Sequence, residues 1–288
     1  MECDDSWHAL LKPGDADNFF DRDPPPFELT ESFSPTNAWW LSELSRLIYK
    51  REPHDRQSIL ARVNMQETPA APDSDFALLE SRDPSRDPFA VLVFRGTSEL
   101  RHVFVDLLAC PVEWSGRGRV HEGFRDDLDG MWSEIERSLA STRCRLFYTG
   151  HSLGAALATL TASRTALKRP PVAVYTFGSP RVGDAAFRDT VQGQMPVYRI
   201  VNHHDLVARL PPEGGLWGYC HTGKLYHITA DGRLDTNAEA MESAGAAPTR
   251  AKVLWLRTRA AVGLFGPPEE LADHAPVNYV ARLAGQCA

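Results

Sequence analysis

Three short apolar runs constrain the fold of this chain more than any other feature of its sequence. They span residues 89–94 (FAVLVF), 146–149 (LFYT) and 172–177 (VAVYTF), and each is apolar nearly throughout. A strand with one face in water alternates apolar and polar residues, whereas a strand covered on both faces does not. The runs therefore predict central strands of a sheet buried on both sides. A fourth β-type run, residues 197–202 (VYRIVN), follows them.

Helical stretches separate the predicted strands. They cover residues 124–139 and the Ala- and Leu-rich residues 153–167, and apolar residues also recur at helical spacing from Asn37 onward. Strands that alternate with helices predict an α/β fold in which helices flank a central, mostly parallel sheet. In such a sheet ligands bind at the carboxyl ends of the strands.

The beginning of the chain differs in character from the rest. Its first 34 residues are rich in Asp and Pro, include Pro24-Pro25-Pro26 and show no sustained period. We predict an N-terminal extension or arm over residues 1–34. The remaining residues, 35–288, are enough for a single domain with a sizeable core.

The net charge and the hydropathy argue against two kinds of surrounding: nucleic acid as a partner and the interior of a membrane. The chain carries 38 acidic residues against 31 Lys and Arg, a net charge of −7. This balance disfavours a nucleic-acid-binding surface. No run of eighteen apolar residues occurs, so we expect no transmembrane segment.

The predicted cellular address is cytoplasmic. Residues 1–5 (MECDD) are acidic where a secretory signal is basic and then apolar. The five cysteines are odd in number and far apart, which fits reduced thiols better than a disulfide framework. Export by a route that needs no such signal is the alternative.

A G-x-S-x-G motif lies where a predicted buried strand meets a predicted helix, in residues 148–156 (YTGHSLGAA). On such a sharp turn the residues two before and two after the serine press against other backbone, so Gly150 and Gly154 meet a steric need. The helix beginning at Leu153 offers free N–H groups to a developing oxyanion. The context favours Ser152 as a nucleophile over a chance Gly-Ser turn.

Such a serine needs a base to take its proton and a carboxylate to orient that base. On sheets with this elbow the acid follows the serine, and the histidine follows the acid. Asp205 directly follows the predicted strand 197–202 and is the favoured acid. Asp184 is the other candidate, but it precedes a predicted helix that it would cap.

His274, on a predicted loop near the C-terminus, is the favoured base. His221 and His227 also follow Asp205, and spacing alone does not exclude them. The other histidines near these residues precede the acid or sit inside the elbow. His203 is set aside by this order alone, a structural hydrogen bond is predicted for His204, and a packing role is predicted for His151.

Five short motifs follow one another in order along the chain. They are residues 94–98 (FRGTS), 120–124 (VHEGF), 150–154 (GHSLG), 177–184 (FGSPRVGD) and 205–212 (DLVARLPP). Together they resemble the oxyanion loop, H-x-G-F, elbow, F-G-x-P-R-V-G-[ND] and D-x-V-P-x-L-P-P segments of the class 3 lipases. That family includes the fungal triacylglycerol lipases, and an ordered set is far more specific than one motif. The sequence departs from the family at Ala208, where proline is usual.

The resemblance implies an α/β-hydrolase fold and assigns a role to each candidate. Ser152 is implied as nucleophile, Asp205 as acid and His274 as base. Backbone N–H groups of Thr97 and Leu153 are implied as the oxyanion hole, with the Thr97 hydroxyl assisting. No metal or organic cofactor is expected.

A lid-like helix is expected after the oxyanion loop. Its apolar residues recur at i, i+3, i+4, i+7 and i+8 and would form the lid and a wall of the acyl pocket: Leu100, Val103, Phe104, Leu107 and Leu108. An ordinary packed helix gives the same periodicity and stays open as the alternative. Fungal members usually carry tryptophan where Val103 stands. Residues 229–270 are longer than the family core needs.

These features predict a serine carboxylic ester hydrolase that works through an acyl-enzyme. The resemblance favours acyl esters of glycerolipids as substrates, with a phospholipase A or a short-chain esterase as the alternatives. The predicted partners are the lipid or small ester substrate and, transiently, a lipid interface. A protease or thioesterase can use the same triad. A non-catalytic scaffold is the alternative from another class, and the presence of all three triad residues disfavours it.

Overall fold

The computed structural model of the protein describes residues 1–68, 74–97, 110–115, 117–213, 217–236 and 266–287. The helices in these ranges are α1 (Trp7–Leu11), α2 (Pro35–Leu47), α3 (Pro53–Arg62), α4 (Glu122–Ser141), α5 (Leu153–Thr165), α6 (Ala185–Gln192), α7 (Glu269–Ala272) and α8 (Pro276–Ala284). Short 3-10 helices are formed by Pro13–Asp15 and Val207–Arg209.

The strands form two sheets. They are β1 (Met65–Glu67), β2 (Phe76–Ser81), β3 (Phe89–Phe94), β4 (Pro111–Glu113), β5 (Arg119–His121), β6 (Arg145–His151), β7 (Ala173–Phe177), β8 (Gly183–Asp184), β9 (Val197–Asn202), β10 (Tyr219–Cys220), β11 (Lys224–Ile228) and β12 (Leu234–Asp235). The larger sheet has the order β1-β2-β3-β6-β7-β9-β11-β12, and the smaller one has the order β10-β8-β5-β4.

The five central strands of the larger sheet, β3, β6, β7, β9 and β11, run parallel. The outer strands β1, β2 and β12 pair antiparallel with their neighbours. The predicted α/β architecture with a mostly parallel sheet is therefore confirmed. All four predicted strands belong to this central region, and both predicted inter-strand helices are present as α4 and α5.

Burial on both faces explains why the central strands are apolar throughout. Alternate residues of β3 belong to opposite clusters, with Ala90, Leu92 and Phe94 beside α4 and α5, and Phe89, Val91 and Val93 beside α2. Each of these six side chains is buried. Water reaches neither face, so neither face selects polar residues.

The first 34 residues lie against this core. Phe20 packs edge-on against Trp39 of α2, with ring centroids 5.8 Å apart, and Leu10 of α1 belongs to the cluster on the opposite side of the sheet. The division of the chain into an arm over residues 1–34 and a domain over residues 35–288 stays a prediction. Among the described residues no helix is both long and apolar enough to cross a membrane.

Candidate active site

The elbow stands at the carboxyl end of β6, where Ser152 precedes the first residue of α5. Ser152 has φ +59°, a conformation that costs energy for any residue except glycine. Its backbone N–H donates to the Phe177 carbonyl at 2.9 Å, which ties the turn to β7. A Cβ on Gly150 would lie 2.3 Å from the carbonyl carbon of Gly154, so the strand and the helix approach too closely for a side chain there.

The loop after β3 lies against the same elbow. A Cβ on Gly154 would lie 2.2 Å from the carbonyl oxygen of Phe94, which is the last residue of β3. Thr97 stands three residues beyond Phe94, and Leu153 supplies the first backbone amide of α5. Amides in the first turn of a helix have no partner within the helix. The fold thus brings both predicted oxyanion donors to the carboxyl ends of the central strands, where Ser152 also lies.

Ser152, His274 and Asp205 form one hydrogen-bonded chain. The distance between His274 Nε2 and Ser152 Oγ is 2.9 Å, and that between His274 Nδ1 and Asp205 Oδ2 is 2.8 Å. A carboxylate only accepts, so Nδ1 carries the proton and Nε2 accepts from the serine hydroxyl. All three side chains are buried.

Two further donors hold the Asp205 carboxylate. The Val207 N–H donates to Oδ1 at 2.8 Å, and the Tyr279 hydroxyl donates to Oδ2 at 2.6 Å. Burial raises the pKa of the Asp205 carboxyl. Burial is outweighed by the charge of His274, by the hydrogen bond from His274 and by the hydrogen bond from Tyr279. These interactions hold the pKa of Asp205 below its usual value. Asp205 is therefore ionised at neutral pH and can stabilise an imidazolium.

Tyr279 is a part of the site that the sequence did not predict. Burial, and then the negative charge of Asp205, raise the pKa of its hydroxyl well above the usual value, so the tyrosine stays neutral and donates. Its oxygen accepts the Asn202 N–H at 3.1 Å. Tyr279 lies in α8, far along the chain from Asp205, and no local motif distinguishes it from a core tyrosine.

His151 links His274 to Tyr49, which lies against the loop after β3. Its Nε2 donates to the His274 carbonyl at 2.8 Å, and its Nδ1 accepts from the Tyr49 hydroxyl at 3.0 Å. Burial, and then repulsion from His274, hold the pKa of His151 well below its usual value, so it is neutral. A Cβ on Gly96 would lie 2.1 Å from the Tyr49 hydroxyl. His151 thus packs, as predicted, and also links two parts of the site.

The residues that were alternative candidates for the acid and the base form other hydrogen bonds. Asp184 caps α6, where its side chain accepts a backbone N–H at 3.0 Å. His221 and His227 each lie within 2.9 Å of a backbone carbonyl. His204 accepts from an arginine at 3.1 Å, and His203 faces two carboxylates. Of the histidines that were candidates for the base, the structure brings His274 to Ser152.

The predicted lid lies outside the described residues, and so does most of the segment 229–270. The five residues concerned are Leu100, Val103, Phe104, Leu107 and Leu108. Their assignment to a lid and acyl pocket stays a prediction.

Known proteins resemble part of the chain. The family model described as "Lipase (class 3)" matches residues 91–215. A lipase of Rhizomucor miehei is 37% identical over 156 residues, which cover 48% of this chain and 41% of that protein. "Secreted mono- and diacylglycerol lipase 1" of Fusarium solani is 34% identical over 129 residues, which cover 43% and 38%. The chain thus spans about two fifths of the length of these relatives.

The predicted cytoplasmic address is wrong. The Fusarium solani relative is by name a secreted enzyme, and this points away from the cytoplasm. All five cysteines are free in the structure. A core of this size is stable without disulfides, so unpaired cysteines indicate no compartment.

Solved structures agree with the fold. The Rhizomucor miehei triacylglyceride lipase superposes with a TM-score of 0.59 at 24% identity, over 82% of this chain and 96% of that one. The likeness supports the α/β-hydrolase fold. The matching family model covers the strands and loops that carry Ser152 and Asp205. Residues 91–215 of the chain are therefore similar to the class 3 lipase family.

Proposed function

We propose that the protein is a serine carboxylic ester hydrolase that cleaves acyl esters of glycerolipids through an acyl-enzyme. The observation that carries the proposal is the unbroken chain of hydrogen bonds from Ser152 through His274 to Asp205. An imidazole so placed accepts the serine proton as the hydroxyl attacks, and the carboxylate stabilises the resulting charge.

In the first half of the reaction Ser152 Oγ attacks the ester carbonyl and His274 Nε2 takes its proton. The carbonyl oxygen becomes an oxyanion, which the N–H groups of Thr97 and Leu153 stabilise. Such donors lie in place before the reaction and typically contribute ~3–4 kcal/mol to transition-state stabilisation. His274 then gives its proton to the leaving alcohol, and the acyl group stays on Ser152.

In the second half a water molecule attacks the acyl-enzyme. His274 takes a proton from this water, and a second tetrahedral oxyanion forms in the same hole. As this intermediate collapses, the bond to Ser152 Oγ breaks, His274 returns the proton to Oγ, and the fatty acid is released. Asp205 keeps the imidazole in one orientation through both halves. Every proton and electron pair in these steps is supplied by the chain, the ester and water.

The names of the relatives support a glycerolipid ester as the substrate class, because both are called lipases and one a mono- and diacylglycerol lipase. Long acyl chains are held in aggregates, so the proposal includes a transient contact with a lipid interface. By the same comparison we place the working enzyme outside the cytoplasm.

The test measures hydrolysis of p-nitrophenyl butyrate and of an emulsified long-chain triglyceride by the wild type and by Ser152→Ala. We expect turnover of both substrates, and a loss of about 10⁴-fold or more in the variant. Ser141→Ala, at the exposed end of α4, is the matched control and keeps full activity.

Other outcomes separate the alternatives. Hydrolysis of butyrate alone indicates a short-chain esterase, and release of fatty acid from phospholipid alone indicates a phospholipase A. A folded protein that turns over none of these substrates and resists a fluorophosphonate label would overturn the proposal in favour of a non-catalytic scaffold.

A further inference from the structure

A histidine and two carboxylates converge beside the triad, on the outer side of the loops that carry it. The residues are His203, after β9, and Glu269 and Asp273, at the two ends of α7. One nitrogen and two oxygens of these side chains all lie within 4.8 Å of one another. None of the three belongs to the mechanism proposed above.

The spacing of these atoms is long for a charge-assisted hydrogen bond and matches that of ligands around one metal ion. His203 Nδ1 lies 3.2 Å from Asp273 Oδ2 and 3.3 Å from Glu269 Oε1. Charge-assisted N–H···O hydrogen bonds are about 2.7–2.9 Å long. Ligand atoms bound ~2.0–2.1 Å from a tetrahedral metal, by contrast, lie ~3.3–3.4 Å apart. Moreover, Nδ1 carries at most one hydrogen and cannot donate fully to both carboxylates.

The donor types point to one class of ion. One imidazole with two carboxylates suits divalent transition metals such as Zn²⁺, Mn²⁺ and Co²⁺. Asp273 is nearly buried, whereas the Glu269 side chain is 70% exposed. An ion can therefore enter from the Glu269 side, and water can complete its coordination there.

Neighbouring groups hold the two inner ligands in place. Asp273 Oδ2 accepts the His204 backbone N–H at 3.0 Å, and the Asp273 carbonyl accepts from the Asn202 amide at 2.9 Å. The carbonyl of His203 lies 2.9 Å from His227 Nε2. Metal sites commonly orient their ligands by such outer hydrogen bonds. The adjacent His204 ring faces Arg209 and is not among the three ligands.

Two of these ligands lie close to residues of the triad in the sequence. His203 stands two residues before Asp205, and Asp273 directly precedes His274. We infer that His203, Asp273 and Glu269 bind a divalent transition metal that fastens the loop of the catalytic acid to the loop of the catalytic base. The metal is a structural clamp and touches no reacting atom. Binding is independent of the proposed function; only its benefit to hydrolysis rests on it.

The test titrates the full-length protein, first stripped with EDTA and exchanged into metal-free buffer. Zn²⁺ binding is followed by calorimetry, and Co²⁺ binding by its visible d–d absorption. We expect one site per chain, and a shift of the folding equilibrium by about 100-fold when the metal is present at 100 times its Kd. This shift is read as a rise in the midpoint of thermal unfolding.

Single substitutions locate the site. His203→Asn tolerates the left-handed φ of +40° at this position and removes the imidazole, and Glu269→Gln removes the exposed carboxylate. Loss of a direct ligand should weaken binding by about 100-fold or more, because loss of outer partners alone costs 10–100-fold. The matched control is His204→Asn, which removes the neighbouring ring and should bind as the wild type does.

Three results would overturn the clamp. One is no saturable binding to the folded wild type, which leaves an ion pair only. Another is binding that survives in both His203→Asn and Glu269→Gln, which assigns the metal to other histidines or to the free cysteines. The third is binding without a rise in thermal stability. Hydrolysis of p-nitrophenyl butyrate should also persist to a higher temperature with metal; failure of hydrolysis at every temperature, with binding intact, would instead contradict the proposed function.

Discussion

The elbow and the proposed acid–base pair, Asp205 and His274, both hold side chains of the proposed triad in place, but they do so by different physical means. The elbow is contiguous in sequence, and close backbone packing between β6, α5 and β3 fixes it. The acid–base pair joins residues 69 positions apart, and hydrogen bonds between the two loops, from Val207 and from Tyr279 of α8 fix it. Close backbone packing requires glycine at fixed positions in the sequence, whereas a hydrogen-bond network between distant residues requires no local sequence pattern. This difference explains why Ser152 is evident from a motif and Tyr279 is not.

The largest effect should come from removing Ser152, His274 or both. Ser152→Ala and His274→Ala should each lower kcat for p-nitrophenyl butyrate by about 10⁴–10⁶-fold, because the base has no role without the nucleophile. The double variant should be no slower than the worse single variant. Losses that multiply in the double variant, with all three proteins folded by circular dichroism, would mean that the two residues act separately.

The elbow alone is tested by Gly154→Ala. The new Cβ would lie 2.2 Å from a backbone oxygen of β3, which cannot move without shifting the strand. We expect the free energy of unfolding, measured with urea, to fall by ~3 kcal/mol. The matched control is Gly130→Ala in α4, where no atom lies within 4 Å of the added Cβ and a gain of ~0.5–1 kcal/mol is expected. Equal stability of the two variants would contradict a sterically fixed elbow.

The acid–base region is tested by Gly178→Ala. Gly178 has φ +57°, and an added Cβ would lie 2.6 Å from Asp205 Oδ2 and 2.9 Å from His274 Nδ1. We expect kcat to fall about 100-fold, because a displacement of ~1 Å at reacting groups has this effect. Thermal unfolding measured in parallel should show a protein that stays folded at the assay temperature. Unchanged kcat would mean that the pair relaxes around the methyl group.

The smallest effect should come from Tyr279→Phe. The substitution removes one of the donors to Asp205 and leaves those of His274 and Val207. We expect kcat to fall about 10-fold with KM unchanged, since a hydrogen bond to a charged group contributes ~1.5–3 kcal/mol and two remain. Tyr148→Phe is the control, because its buried hydroxyl bonds Thr165 and faces no triad residue. A similar loss in both variants would point to a general packing effect.

Much of the sheet follows from the sequence, but its edges do not. The central strands are apolar on both faces, and this pattern marks them without any knowledge of their neighbours. The outer strands β1 and β12 have three and two residues, too few to show a period. The smaller sheet is likewise built from strands of two or three residues, whose pairing partners decide their conformation.

The sequence alone also could not identify which of the candidate histidines contacts Ser152. Chain order left His221, His227 and His274 as possible bases, since each follows Asp205. In the structure the first two bond backbone carbonyls and only His274 meets both Ser152 and Asp205 among the described residues. Spacing cannot rank these three, because the contacts of His274 with Asp205 and Ser152 cross 69 and 122 residues of chain.

The sequence by itself determined the α/β class, the central strands and the position of Ser152, because local sterics and burial act on neighbouring residues. The tertiary structure decided which histidine contacts Ser152, which donors hold Asp205 and how His151 is bonded to the His274 carbonyl. It also placed His203 against Glu269 and Asp273, a juxtaposition that no motif records. The reason is that hydrogen bonds and metal ligands depend on distances across the fold, which the order of residues along a chain does not fix.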